Sequence, residues 1–415
     1  MRTIIFLTTE IYLLEEFEQS ALKRGNKLIV FYIGKFHDVN LNLFNCHFEM
    51  FNRLNIKEIV ECLKNKYSFA DIIFTNDEKL IDKVYEISEL SNIKTYNFFE
   101  NNYSRSKYNT KKVQNGKNVP KISYLEEFLS GESNLEYPLV IKPNCGYGSS
   151  GVYLLKNELE LETSIRKVTK AIRIMKLWAN GYNFDSKIVL EEYIEGKEYA
   201  IDMLWYKGEV VFSGICERLH GLEGHHFEDF VYYSKKLELE IEQKISKAAQ
   251  DFCRAFNFET GATHTEMKIT REGKVYILDN ALRPGGGGCF YYIYSLKYGR
   301  NFFKIYYDIM TDQFVRSELL TKAPNEGLYF LYCNLLENGG KIKNIFFNSS
   351  EIPRTLVNTR TDIFFKKGDI IPDLQFGNTY NIFIFGKLKD NFPEVQGLND
   401  IVKLNKCCHI EFENS

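Results

Sequence analysis

The chain has 415 residues, between two and three times the roughly 150 of a typical domain, so a single small module is excluded. Hydrophobic residues make up 44% and charged residues 26%, with 27 Gly and 8 Pro, which excludes a disordered or collagen-like chain. The 53 basic and 55 acidic residues leave a formal charge of −2, so no global pull toward nucleic acid or an anionic membrane is encoded.

Met1 to Glu10 holds too short an apolar run for a signal-peptide core, and Thr3–Thr8 reads as a first strand. An amphipathic helix is expected over Glu10–Arg24, closing at Gly25, then a strand over Lys27–Ile33 that ends at Gly34. A helix over Ile56–Lys66, a strand over Asp71–Thr75 and a helix over Asp77–Leu90 continue the alternation. Such alternation predicts a small parallel, Rossmann-like sheet over residues 1–100, without the G-x-G-x-x-G turn of a dinucleotide site.

The polar stretch Asn101–Lys121 reads as a connection with a short basic helix over Lys107–Val113. Next come a strand over Leu139–Lys142, a Gly/Ser loop at 144–151, a strand over Val152–Leu155, a helix over Leu159–Met175 and a strand pair around 187–215. A helix over Leu239–Phe256 precedes a hairpin of Thr263–Thr270 and Lys274–Leu278. Beyond Asp312 short strands dominate, including Thr361–Lys366 and Asn381–Phe385, which predicts a β-rich unit over 313–415. No run of about 18 uncharged apolar residues predicts a membrane span. The nine cysteines lack any C-x-x-C pair, and Cys407 and Cys408 are adjacent, which suits free thiols in a reducing cytoplasm.

Three constellations carry chemistry. In the first, a strand presents Lys142 just before a loop with Gly146, Gly148 and Gly151 and the hydroxyls of Ser149 and Ser150. Backbone N–H groups and hydroxyls there can cradle phosphate beside an ammonium. No G-K-[ST] follows, so this is not a Walker A loop, and the alternative is a glycine-rich turn. In the second, Glu266 and Asp279 face each other across the hairpin. Two carboxylates repel, and a hard divalent cation, Mg²⁺ before Mn²⁺, resolves the repulsion. Arg283 follows, ahead of Pro284 and the four glycines 285–288, and its planar fork suits a carboxylate or an oxyanion. The alternative is a solvated hairpin. In the third, the apolar strand Ile188–Leu190 runs into Glu191, Glu192, Tyr193 and Ile194, then a turn at Gly196 and a strand bearing Glu198. Backbone groups of that linker can pair with an adenine edge, and a carboxylate can accept from ribose hydroxyls.

In their order and spacing these segments resemble the ATP-grasp superfamily, particularly its bacterial L-amino-acid ligases, over residues 1–415. The resemblance implies an N-terminal Rossmann-like domain (1–100), an ATP-grasp domain (101–312) of two α+β lobes (101–190 and 191–312), and a β-rich C-terminal domain (313–415). It implies that Lys107 and Lys142 contact ATP, that Gly148, Ser149, Ser150 and Gly151 form a flap, and that Glu191, Glu192, Tyr193 and Ile194 meet adenine. Glu198 would take the ribose, Glu266 and Asp279 the Mg²⁺, and Arg283 the substrate carboxylate or acyl phosphate, with Arg218 a further phosphate candidate. The catalytic set is thus Arg283, Lys142, Glu266 and Asp279. The family's E-x-N-x-R stretch appears here as Asp279-Asn280-Ala281-Leu282-Arg283, so Ala281 stands at the metal-binding Asn position and one metal ion is expected to be held more weakly. Asn280 is displaced by one residue and points to the opposite strand face.

The implied activity is ATP-dependent joining of a carboxylate to an amine, both small molecules, with neither nucleic acid nor membrane as partner and a homodimer as the default assembly. Two alternatives stand: an ATP-grasp enzyme using bicarbonate or another acceptor, and a degenerate ATP-binding module. His225 and His226 read as part of a substrate-pocket loop, His264 shares a strand face with Glu266, and the aromatic run Phe290–Tyr294 reads as helix core.

Overall fold

The computed structural model describes residues 1–34, 43–96, 105–146, 148–178, 185–219, 231–319, 324–336, 339–371 and 380–413. Strand β1 (Thr3–Thr8) is buried along its whole length, as a central parallel strand covered on both faces must be. After it come α1 (Leu14–Lys23), β2 (Lys27–Ile33), β3 (His47–Phe51), α2 (Ile56–Lys66), β4 (Ile72–Phe74) and α3 (Ile81–Ser91). The strands form a parallel sheet of order β3-β2-β1-β4. Helix α1 starts four residues later than its sequence pattern suggests, because Leu13 adopts a left-handed φ of 65°. Strand β3, absent from the sequence expectation, is a short edge strand that alternates polar His47 and Glu49 with apolar Phe48 and Met50.

The second layer comprises α4 (Lys107–Val113), β5 (Ile122–Tyr124), α5 (Leu125–Leu129), β6 (Leu139–Pro143), β7 (Tyr153–Leu155), α6 (Leu161–Trp178) and β8 (Ile188–Glu192). Its sheet runs β5-β8-β6-β7. The chain then builds β9 (Lys197–Tyr206), β10 (Glu209–Arg218), β11 (Val231–Ser234), α7 (Leu239–Arg254), β12 (Gly261–Ile269) and β13 (Val275–Ala281). The expected strand pair around 187–215 is therefore three strands, and the second arm of the hairpin runs three residues past Leu278, taking Asp279 into the ladder.

Helices α8 (Phe290–Tyr298) and α9 (Phe302–Met310) lead to β14 (Tyr329–Leu335), β15 (Gly340–Phe347), β16 (Leu356–Ile363), β17 (Ile370–Ile371), β18 (Tyr380–Leu388), α10 (Glu394–Val402) and β19 (Cys408–Phe412). The strand expected over Thr361–Lys366 ends at Ile363, and α10 is a helix in a segment read as strands. Strands on both sides of residue 312 share one eight-stranded sheet, β13-β12-β9-β10-β11-β14-β18-β16, while β17-β15-β19 form a small separate one.

One core cluster joins these parts. Phe6, Phe17 and Phe74 of the N-terminal layer pack with Tyr291, Tyr294, Phe302, Phe303, Tyr306 and Tyr307 of α8 and α9, with ring centroids such as Phe17–Tyr306 6.1 Å apart. The run read as helix core is helix core: Phe290, Tyr291, Ile293 and Tyr294 are buried. Arg24 pairs with the fully buried Asp308 at 2.6 Å, fastening α1 to α9. Burial of so many aromatic rings locks the parallel sheet onto the large sheet.

Gly214 on β10 shows how tight this packing is. A Cβ there would stand 2.5 Å from the Tyr294 ring, whose hydroxyl lies 2.9 Å from both the Gly214 carbonyl and Asp202 and shares its one hydrogen between them. The ring has nowhere to move. Gly214→Ala is expected to destabilise the protein by about 1–3 kcal/mol, the usual cost of overpacking, read as a lower midpoint in urea unfolding; an unchanged midpoint would show that the ring can yield.

Candidate active site

The cleft opens between the sheet of β6 and β8 and the hairpin face of β9, β12 and β13, with a volume of about 1320 Å³ including its open mouth. Helix α4 delivers the first lysine. Ser106 caps it by accepting from the Asn109 N–H at 3.2 Å, and buried Asn144, just after β6, accepts from the Tyr108 N–H at 2.9 Å. Lys107 is thereby aimed across the cleft, where its Nζ lies 2.7 Å from Asp279 Oδ2. Burial would lower the Lys107 pKa, but Asp279 outweighs it and the net shift is upward. Asp279 in turn is held down to about 2, because Lys107, Lys142 and Lys111 outweigh the effect of burial.

Lys142 points from β6 at Glu191 on β8, with Nζ 2.7 Å from Oε2. The other Glu191 oxygen is taken by Lys111, buried on α4. Glu191 therefore meets the cleft as the partner of two lysines; its side chain is not free to face a base. Its carboxyl is held below the ordinary range, since the two lysines outweigh burial. Burial pulls Lys111 down to about 7 against the attraction of Glu191, and Lys142 adds to that fall. The sequence signal for Lys111 is its spacing of four from Lys107, which puts both on one helix face.

Glu192, Tyr193 and Ile194 line the cleft beside Glu191. Lys268, absent from the sequence expectation, donates to the Ile194 carbonyl at 3.1 Å. It stands two residues after Glu266 on β12, so strand alternation was its signal. Glu198 accepts from Arg218 at 2.5 Å, a buried pair that lines the same cleft. In the glycine loop, Gly148, Ser149 and Ser150 border the cleft, with φ of 58° at Gly148 and 49° at Ser149. Gly151 does not: it is buried, and a Cβ there would meet Ala171 at 2.9 Å and Pro143 at 3.2 Å. Its lack of a side chain serves close packing of the loop.

Glu266 and Asp279 are directly opposed in the β12–β13 ladder, beside a bulge in which Met267 pairs with Ile277 and Leu278 is the extra residue. Bulges re-aim neighbouring side chains, and this one turns Asp279 into the cleft. Two carboxylates with hard oxygen donors suit a divalent cation, and the Lys107 ammonium on Asp279 already marks the spot as one that favours positive charge. Among the described residues no group of three or more His, Cys, Asp or Glu is arranged to hold a metal ion. Asn280 turns the other way, its Oδ1 accepting from Thr265 Oγ1 at 2.7 Å.

Arg283 lies at the mouth, with Nε 2.9 Å from Glu78 of the N-terminal layer and Nη1 donating to the Pro284 carbonyl at 2.9 Å. The Gly285 N–H donates to buried Asp202 at 2.6 Å, which anchors the glycine run. Behind it, His264 Nδ1 lies 3.4 Å from Asp202 Oδ2 and Nε2 lies 3.6 Å from Glu266 Oε1. Burial disfavours the imidazolium, yet Asp202 and Glu266 outweigh it and raise the His264 pKa to about 9. His225 and His226 lie outside the described residues.

The ATP-grasp domain family matches residues 135–290. The chain is 23% identical over 293 residues to an L-arginine-specific L-amino acid ligase of Bacillus subtilis, covering 70% of this chain and 67% of that protein. It is also 23% identical to an alanine–anticapsin ligase of Bacillus subtilis, over 52% of this chain and 49% of the relative, so it spans about half the length of that protein. The fold is similar to a crystal structure of an L-amino acid ligase from Bacillus licheniformis, with a TM-score of 0.80, 23% identity and coverage of 100% and 99% of the two chains. It is less similar to phosphoribosylglycinamide synthetase from Anaerococcus prevotii, with a TM-score of 0.68 and 17% identity over 99% of this chain and 100% of the other.

The His264 cluster has a stability signature. A pKa raised from 6.5 to about 9 contributes stability that is fully present below pH 6.5 and lost as the pH rises through 9. In metal-free protein, the melting temperature of wild type minus that of His264→Gln is expected to shrink across this window; a difference that stays constant from pH 6 to 10 contradicts the assignment.

Proposed function

We propose that this chain, of which residues 135–290 match the ATP-grasp domain family and which is similar to L-amino acid ligases, is an ATP-dependent ligase that joins a carboxylate to an amine through an acyl phosphate. The observation that carries the reading is the cleft itself, where Lys107, Lys142 and the paired carboxylates Glu266 and Asp279 converge below Arg283.

Glu192 to Ile194 would meet the adenine through backbone groups, Glu198 would accept from the ribose, and Lys107 and Lys142 would draw phosphate charge. Mg²⁺ held by Glu266 and Asp279 would supply electrophilic polarisation of the γ-phosphate. A substrate carboxylate oxygen attacks the γ-phosphorus in line, the bond to the ADP oxygen breaks, and an acyl phosphate forms. The amine nitrogen then attacks the acyl carbon, loses a proton, and phosphate leaves. Arg283, which Glu78 orients, would stabilise the tetrahedral oxyanion, and the 148–151 loop would exclude water that hydrolyses the acyl phosphate. No side-chain nucleophile takes part. Nine free thiols are compatible with work in a reducing cytoplasm.

One observation favours a second reading, an ATP-binding module without turnover. Ala281 supplies no metal ligand, and Asn280 is turned into the hairpin's other face toward Thr265.

Incubation with ATP and Mg²⁺ across amino acids singly and in pairs, with ADP measured and products weighed by mass spectrometry, separates the two. Pair-dependent ADP release is expected, with a product equal to both substrates less one water. Arg283→Ala is expected to lower kcat by about 10²- to 10³-fold, the usual loss for an oxyanion donor. ATP binding with no ADP from any pair would favour the module.

A further inference from the structure

Lys111 is buried on α4, one helical turn beyond Lys107, and has no part in the chemistry described above. Its ammonium makes two contacts in different sheets. One is to Glu191 Oε1 on β8; the other is a hydrogen bond to the Leu278 carbonyl on β13 at 2.8 Å. Leu278, half-buried, is the extra residue of the bulge, which leaves its backbone outside the regular ladder. Lys111 holds its carbonyl there, one residue before Asp279.

The charge count at Glu191 matters as much. A single carboxylate faces Lys111 through one oxygen and Lys142 through the other. The two lysines thus share one carboxylate, so Glu191 divides its charge between them and neither has a Glu191 carboxylate to itself. Without Lys111, Glu191 would turn its whole charge on Lys142 and cancel it.

We propose that Lys111 is a positioning residue that occupies half of Glu191, so that Lys142 keeps its charge for the phosphates of the nucleotide, and that holds the bulge aiming Asp279. This rests on the reading of the cleft as an ATP site. It makes a specific claim about partner charge: deleting Lys111 damages phosphate binding through Glu191, so neutralising Glu191 as well must repair it.

The test measures dissociation constants for ATP and for adenosine by calorimetry at pH 6.5 on wild type, Lys111→Met, Glu191→Gln and the double variant, each with a thermal melt. Lys111→Met is expected to weaken ATP about 10- to 100-fold, the range for a lost hydrogen bond to a charged group, with adenosine changed less than about threefold. The double variant is expected to regain most of the ATP affinity. Should Lys111→Met fail to fold, Lys111→Gln, which keeps a donor for the Leu278 carbonyl but no charge, carries the same expectation. The inference is overturned by unchanged ATP affinity in the single variant, by equal losses for ATP and adenosine, or by a double variant no better than the single. Wild type that binds no ATP would sink the nucleotide reading and this inference with it; wild-type binding without rescue would sink the inference alone.

Discussion

A carboxylate buried between two ammonium groups is the constraint around which the cleft is organised. Taking Glu191, Lys111 and Lys142 out of water costs several kcal/mol per ion unless each finds a partner of opposite charge or a hydrogen bond. The structure meets that requirement by bringing three elements to one point: β6 with Lys142, β8 with Glu191 and α4 with Lys111. Because Lys111 also reaches the Leu278 carbonyl, the same cluster ties the smaller sheet to the hairpin of the larger one.

The opposite wall is set by packing. The aromatic cluster shared by β1, α1, α8 and α9 presses the N-terminal layer against the large sheet, and this brings Glu78 to within 2.9 Å of Arg283 Nε. Asp202 does a similar job from below, accepting from the Gly285 N–H and from Tyr294. Arg283 is therefore oriented by a residue some two hundred positions earlier, and the glycine run after it is anchored to the sheet floor. A fork held in this way loses little entropy when it meets a planar anion, which is the advantage of arginine at such a place.

Much of this was legible in the chain. Lys142 at the end of a strand before glycines, Glu266 and Asp279 on facing arms of a hairpin, and Arg283 ahead of four glycines are local patterns, and local patterns survive without knowledge of the fold. Strand alternation placed His264 beside Glu266 and turned Asn280 away, as the contacts of both show. The same alternation, carried two residues further, would have reached Lys268, and helix spacing would have reached Lys111. The packing of Gly151 on Ala171 and Pro143 was not legible, because a glycine that permits close approach of a ligand and one that permits close packing look alike in sequence.

What the sequence determined by itself was the set of chemical groups and their order along the chain, because strand and helix periodicity, turn residues and charge type are properties of neighbours. What only the tertiary structure decided was which charges face each other. Glu191 could not be seen as the partner of two lysines, nor Glu78 as the partner of Arg283, nor the Leu278 carbonyl as the acceptor of Lys111. Those pairings join residues tens to hundreds of positions apart, and they are selected by the desolvation cost that each buried ion must offset once the sheets have closed around it.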